Sequence, residues 1–377
     1  MSAPRPASSP MDIELHTGDE LGPFKVLVVR DPSVDLLGFV VVDNIAAGPA
    51  IGGIRMAPDV TITEVARLAR AMTLKNASAG LAHGGAKGGI VGDPRRPIAE
   101  KEAIIRAFAR GIATLVEYIP GPDMGTDEGC MAWIRDEGGR AAGLPKVVGG
   151  IPLDEIGATG LGIAVAAEVT AEHAGITLEG ARVAVQGFGA VGKFAARFLA
   201  ERGARLVAAT DSRGGRHDPE GLPIEDLIAL KAEGRSVAEC PSGQAITHDD
   251  LIGIDCDIWI PAARPDVLDA DNAGAVKAKL ILQGANIPAT PEAEADLHAR
   301  GIINVPDFIA NAGGVICAAV EFHGGDEARA REAIVTKIRE NTAEVLRRSR
   351  EGGILPRAAA LELAHERVRE AMRYHRA

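Results

Sequence analysis

Arg182-Val183-Ala184-Val185-Gln186-Gly187-Phe188-Gly189-Ala190-Val191-Gly192 runs an apolar, β-branched strand straight into a Gly-x-Gly-x-x-Gly turn, and residues 193–201 continue as a helix. That strand–turn–helix context gives an otherwise common glycine pattern its meaning. Gly187 permits the tight turn, Gly189 lets the backbone approach a pyrophosphate, and Gly192 allows close helix packing, while the helix N-terminus supplies an anion site. Ala190 and Val191, inside the same turn, are counted with these glycines as cofactor-binding. The next apolar run, 205–210, ends at Asp211, about 20 residues past the glycines. A carboxylate there would accept hydrogen bonds from an adenosine ribose and repel a 2′-phosphate, so NAD is the expected cofactor. Arg213 could attract that phosphate, which keeps NADP open. The competing reading makes the glycines a bare tight turn and Asp211 a local cap.

Working outward, short apolar strands at 182–186, 205–210, 258–260 and 280–282 alternate with helical stretches, the pattern of a parallel, doubly wound sheet. Toward the N-terminus, residues 24–29 and 37–42 read as two strands parted by the turn formers Asp31-Pro32-Ser33, with helices and Gly-rich loops following. Beyond Glu321 two amphipathic helices are expected, one carrying Ile334, Ile338 and Val345, the other Leu361, Ala364, Val368 and Met372. The expected fold is α/β with two domains: an N-terminal α/β substrate domain, a Rossmann-type doubly wound dinucleotide-binding domain, and C-terminal helices. The boundaries drawn are a disordered tail at 1–10, a substrate-binding and oligomerisation domain at 11–150, the Rossmann domain at 151–322, and helices at 323–377 packing back toward the first domain.

Composition narrows the partners. The 377 residues are 46% hydrophobic and 25% charged, more than one core usually organises. A net charge of −11 and aromatics at 3% leave no basic stripe or stacking surface for nucleic acid. Cys130, Cys240, Cys256 and Cys317 form no C-x-x-C pair, so buried, reduced thiols are expected and neither a metal site nor a disulfide framework. With no apolar run of about 20 residues and a polar, proline-rich start, a cytoplasmic protein without membrane contact is expected.

Thr61 and Glu64 have the spacing of a capping box, opening a helix whose apolar stripe is Val65, Leu68 and Met72. Lys75 continues that stripe. Either it meets an anion, because a buried ammonium is otherwise costly, or its stem covers apolar surface while the charge reaches water. Lys87 lies in Gly84-Gly85-Ala86-Lys87-Gly88-Gly89, where small neighbours leave room for a ligand beside the amine, or make only a flexible turn. Pro120-Gly121-Pro122-Asp123 is a constrained loop presenting one carboxylate.

Taken with Gly48-Pro-Ala-Ile51-Gly-Gly53-Ile-Arg-Met56, Met72-Thr-Leu-Lys75-Asn-Ala, Gln283-Gly-Ala-Asn286-Ile-Pro-Ala-Thr-Pro291 and Pro306-Asp-Phe-Ile-Ala-Asn311-Ala-Gly-Gly-Val315, these segments resemble the glutamate/leucine/phenylalanine/valine dehydrogenase family, in order from about residue 35 to 322. The resemblance implies an NAD(P)-dependent amino-acid dehydrogenase that interconverts an L-amino acid and its 2-oxo acid with ammonia. It implies that Lys75 binds the substrate α-carboxylate and that Lys87 and Asp123 are catalytic, Lys87 as base toward water and Asp123 as proton shuttle at the departing nitrogen. Gly53, Ile51, Val315 and Ala318 fall on the substrate side, and Thr159, Ala262, Asn286 and Asn311 on the cofactor side. A homo-oligomer built through the N-terminal domain is implied as well.

The departures from the family concern substrate. Glutamate-specific members carry a lysine before the Gly-Gly and a serine three residues past the valine of Asn-Ala-Gly-Gly-Val, together holding the side-chain carboxylate. Ile51 and Ala318 stand there in this chain. An apolar substrate side chain is therefore expected, with glutamate as the alternative, Arg55 being a cation that could still receive an acid. An inactive NAD(H)-binding homologue and a 2-hydroxy-acid oxidoreductase are the readings from other classes. His83, before Gly84, is read either as a wall of the site or as a structural histidine, and the 151–157 segment has no assigned role.

Overall fold

The computed structural model describes residues 18–375; the tail expected at 1–10 lies outside them. The chain forms two compact units. One comprises residues 18–152, 318–326 and 364–375, the other 153–317 and 327–363.

The first unit is built on a five-stranded sheet. Its strands are β1 (Lys25–Asp31), β2 (Leu36–Asn44), β3 (Ala50–Ala57), β4 (Gly85–Val91) and β5 (Tyr118–Pro122), in the order β1-β2-β4-β3-β5. The β1–β2 and β2–β4 pairs are antiparallel, while β3 runs parallel to both β4 and β5. Alternation along the strands divides the side chains. Val40, Val42, Ile54, Met56 and Ile90 join Ile104, Phe108 and Met131 in the main core, with helices Ile98–Gly111 and Glu128–Asp136. Phe39 and Val41 face the opposite way and pack with Val65 and Ala69 of the helix Ile62–Ser78. Lys87 pairs in register with Val41, so it lies on that second face, under the helix.

This helix differs from its expected stripe. Its buried positions include Val65, Ala69, Thr73 and Asn76, whereas Leu68, Met72 and Lys75 lie half-buried on the flank. The smallness of Gly85 explains the shift: a Cβ there would sit 2.0 Å from the Thr73 nitrogen, so the backbones of strand and helix are nearly in contact. The capping box is half formed. Thr61 accepts from the Glu64 N–H at 3.2 Å, but the Glu64 carboxylate goes to Arg55.

The second unit holds a seven-stranded sheet: β6 (Arg182–Gln186), β7 (Arg205–Asp211), β8 (Gly214–His217), β9 (Gln244–Ile246), β10 (Ile258–Pro261), β11 (Leu280–Leu282) and β12 (Ile303–Val305). In the order β12-β11-β10-β6-β7-β8-β9, the first five are parallel and the last two antiparallel. The strand order reverses between β6 and β10, the switch point at which such sheets bind ligands beyond their carboxyl ends. The four strands read from sequence are present; β8, β9 and β12 are additions, too short and too polar to stand out.

The C-terminal segment departs from the expected boundary. The helix Glu327–Gly352 belongs to the second unit and packs on the largely apolar helix Ala158–Ala171. Only from Ala364 does the last helix, Pro356–Met372, join the first unit, where Ala364 and Val368 pack with Leu21 and Ala77. Among the described residues no helix is long and apolar enough to cross a membrane.

Candidate functional site

In the first unit, β3 and β5 place one carboxylate beside one amine. Gly53 has no room for a side chain, since a Cβ would stand 2.7 Å from the Pro122 oxygen and 2.8 Å from the Asp123 Cβ. At Gly52 a Cβ would stand 1.6 Å from the Ala86 oxygen. This double squeeze draws β4 and the end of β5 against β3. Thr126 then fixes the loop, its hydroxyl accepting from the Asp123 N–H at 3.0 Å and donating to the Ile54 carbonyl at 2.7 Å.

The outcome is an ion pair between Lys87 Nζ and Asp123 Oδ2 at 3.1 Å. Arg55 Nε donates to the same oxygen at 2.9 Å, and its Nη1 to Glu64 Oε1 at 2.6 Å. Lys87 is only 5% exposed, and burial lowers its pKa against the pull of Asp123, with the Arg55 charge adding to the lowering. The second cation acting on Lys87 is thus Arg55. Asp123 is held below the usual carboxylate range: burial would raise it, but the Lys87 and Arg55 charges outweigh that. An amine with a depressed pKa next to an ionised carboxylate can exchange protons with water and with a nitrogen.

Lys75 sits half-buried near the end of its helix, where its carbonyl accepts from the Ser78 hydroxyl at 2.9 Å. Ile51 is buried on β3, in register with Gly85 and Ile119; by strand alternation it shares the sheet face of Gly53, Arg55 and Lys87. Arg55, the cation considered as a receiver for a substrate acid, is engaged on both sides by Asp123 and Glu64. No motif marks Arg55 or Thr126 as partners of Asp123. Their shared strand-and-loop setting was the only available signal.

His83 is a structural group by its contacts: Nδ1 meets the Pro49 carbonyl at 2.8 Å and Nε2 meets His323 Nε2 at 3.0 Å, with the Phe322 ring edge-on at 5.8 Å. The segment that begins at Ile151 is anchored by Glu321, whose two oxygens accept from the Leu144 N–H at 3.0 Å and the Ile151 N–H at 2.7 Å.

In the second unit the three glycines of the β6 turn divide their work. Gly187 has φ +92, and a Cβ there would lie 2.7 Å from the backbone of Ala262 and Ala263. Gly192 abuts the Gly187 oxygen, whereas nothing lies within 4 Å of a Cβ at Gly189, at the N-cap of the helix Ala190–Ala200. Open space at a helix N-terminus beyond the switch point fits a pyrophosphate. Asn311 Nδ2 donates to Asn286 Oδ1 at 3.0 Å, tying the loops after β11 and β12 together, and Thr159 lies beside Gly314. Val315 and Ala318 lie one turn apart on the helix Gly313–Phe322, which carries the chain from one unit to the other.

Asp211 is held by the protein itself. One oxygen accepts from the Arg213 N–H and Ser236 Oγ, the other from Lys231 Nζ at 2.7 Å and the Val237 N–H at 3.0 Å. The carboxylate is only 6% exposed and ion-paired with Lys231. The four cysteines are free and buried, as expected, and no group that could hold a metal ion occurs among the described residues.

A dinucleotide cradle on a doubly wound sheet, together with a buried lysine–carboxylate pair, defines a nicotinamide-dependent oxidoreductase acting on a proton-exchanging centre. The model of the Glutamate/Leucine/Phenylalanine/Valine dehydrogenase family matches residues 149–376, and that of the Glu/Leu/Phe/Val dehydrogenase dimerisation domain matches 24–139. The chain belongs to this family of amino-acid dehydrogenases. The NADP(+)-dependent glutamate dehydrogenase of Pyrobaculum calidifontis is 39% identical over 89% of this chain and 86% of its own. The NAD-specific glutamate dehydrogenase of Staphylococcus aureus is 36% identical over 93% and 91%. Among solved structures, the hetero-hexameric glutamate dehydrogenase from Thermus thermophilus in its Leu-bound form superposes with a TM-score of 0.84 at 34% identity, covering 94% of this chain and 90% of that one. The activity is NAD(P)-dependent, reversible oxidative deamination of an L-amino acid.

Proposed function

We infer that the substrate carries an apolar side chain. The observation behind this reading is the pairing of Ile51, buried on the sheet face of Lys87, with an Arg55 already neutralised by two carboxylates. A second carboxylate placed against Ile51 would lose several kcal/mol of solvation without a donor, whereas an apolar group gains on the order of 1–3 kcal/mol per filled position. Glutamate is the second reading, favoured by the names of the relatives above.

In this account Lys75 holds the α-carboxylate and Lys87, in its neutral form, takes a proton from the water that attacks the substrate carbon. Asp123 carries protons to and from the leaving nitrogen. A nicotinamide cofactor, when bound, would supply the hydride acceptor, and Gly187, Gly189 and residues 190–192 would hold its pyrophosphate. Ala262, Thr159, Asn286 and Asn311 would face its nicotinamide half, and Gly53 and Ala318 the substrate. Intact Lys87–Asp123 geometry argues against an inactive homologue. Phe24, Val26 and Val28 leave apolar surface exposed along the edge strand β1, which supports a homo-oligomer formed through the first unit. Free, buried thiols fit a reducing compartment, and we place the enzyme in the cytoplasm.

Paired substitution tests the substrate reading. Ile51→Lys with Ala318→Ser is expected to raise kcat/KM for 2-oxoglutarate and lower it for branched-chain 2-oxo acids. An unaltered ratio in a folded protein would remove Ile51 as the selecting residue.

A further inference from the structure

A buried polar cluster in the second unit connects the helix Pro356–Met372 to the loop that follows β11. Arg357 Nε donates to both oxygens of Glu294 at 2.9 and 2.8 Å, and its Nη2 donates to Gln283 Oε1 at 2.8 Å. The same Nη2 stands 3.0 Å from Asp307 Oδ1 as an ion pair, and the guanidinium lies 5.5 Å from the centre of the Phe308 ring. Gln283, Glu294 and Asp307 are all buried.

The second oxygen of Asp307 accepts from the Ile287 N–H at 3.0 Å, while the Ile287 carbonyl accepts from the Asp266 N–H at 3.0 Å. Ile287 has φ +49, a left-handed conformation that a β-branched residue keeps only when its surroundings over-determine it. Beside it, Asn286 accepts from Asn311. Contacts therefore run without a break from Arg357 through Asp307 and Ile287 to the two asparagines.

We propose that Arg357 is a positioning residue for the cofactor, holding Asn286 in place through Asp307 and the left-handed Ile287. Arg357 is the cation that pairs with both buried carboxylates, Glu294 and Asp307. Without it, Asp307 is left buried and unpaired and repacks, the Ile287 N–H loses its acceptor, and the loop relaxes to a conformation that isoleucine prefers. The inference rests on the reading of Asn286 and Asn311 as cofactor contacts.

The test is NADH titration by fluorescence, with steady-state constants, on Arg357→Gln and Arg357→Lys. Arg357→Gln is expected to weaken NADH about tenfold, equivalent to ~1.4 kcal/mol, with KM for the 2-oxo acid nearly unchanged. Arg357→Lys, which keeps the charge, is expected to recover most of the affinity. Should Arg357→Gln not fold, Asp307→Ala reads the same link, because the Arg357–Glu294 pair survives in it. Wild-type NADH affinity in folded Arg357→Gln or Asp307→Ala overturns the proposal. Asn311→Ala with wild-type NADH affinity would instead remove its premise, the placement of these loops against the cofactor.

Discussion

Lys87 and Asp123 stand 3.1 Å apart on one face of the first unit's sheet, and the carboxylate oxygen they share also binds Arg55. The amine is buried and its pKa depressed, yet it keeps a partner that can relay a proton. Loss of that amine should therefore remove chemistry and leave cofactor binding alone, because the Gly187 turn belongs to the other unit. Lys87→Ala is expected to lower kcat by about 10²–10⁴-fold, the range for a general base. Its NADH affinity should stay at the wild-type value, and a parallel loss of that affinity would count against the division of labour between the units.

Proton traffic gives a second expectation. A base with a lowered pKa makes the rate rise with pH through a midpoint below the ordinary lysine value of 10.5. Arg55 contributes to that lowering, and Glu64, freed of Arg55, would favour the charged amine. In Arg55→Gln the midpoint should move to higher pH. A pH profile of kcat/KM that does not move, or moves down, would contradict the assigned role of Arg55.

Asp211 offers a prediction about stability. Its pKa lies at about 2 in the folded chain against 3.8 for the free group: burial would raise it, but the hydrogen bonds of Lys231, Ser236 and the Arg213 and Val237 N–H groups win. A carboxylate depressed in this way adds stability above pH 3.8 that is lost as pH falls through about 2. At neutral pH the difference corresponds to about 2 kcal/mol, which Asp211→Asn should forfeit in denaturant titration. Because the charge is already cancelled by Lys231, the same variant should change the NAD-to-NADP preference by less than about threefold. A large swing toward NADP would show that Asp211 does meet the ribose.

Gly53 sets the distance between β3 and Asp123. Gly53→Ala should displace the carboxylate, at about 1–3 kcal/mol of overpacking, and cut kcat while leaving NADH binding intact. Wild-type kcat in Gly53→Ala would mean that the loop yields without moving Asp123.

The fold was largely legible because its signals are local. The β6 strand, the Gly187 turn and the alternating runs after it each declare themselves within a few residues. What stayed hidden depends on contacts far apart in sequence. Arg357 reaches Asp307 and Glu294 across the second unit, Glu321 anchors Leu144 and Ile151, and His83 finds His323. The protein partners of Asp211 were hidden for a related reason: Lys231 and Ser236 arrive from a later helix and loop with no motif of their own. Lys75 was placed on a buried stripe by periodicity alone, and the glycine at 85 rotated the true buried face toward Thr73 and Asn76.

The substrate is tested most directly by amination of a panel of 2-oxo acids, with saturating ammonium and each nicotinamide cofactor in turn, compared by kcat/KM. Ile51 and the doubly paired Arg55 predict that a branched-chain or aromatic 2-oxo acid exceeds 2-oxoglutarate by about tenfold or more, the discrimination of one well-filled apolar position over an unpaired acid. The reaction should stop when ammonium is withheld. A kcat/KM for 2-oxoglutarate above those of the apolar 2-oxo acids would contradict the account.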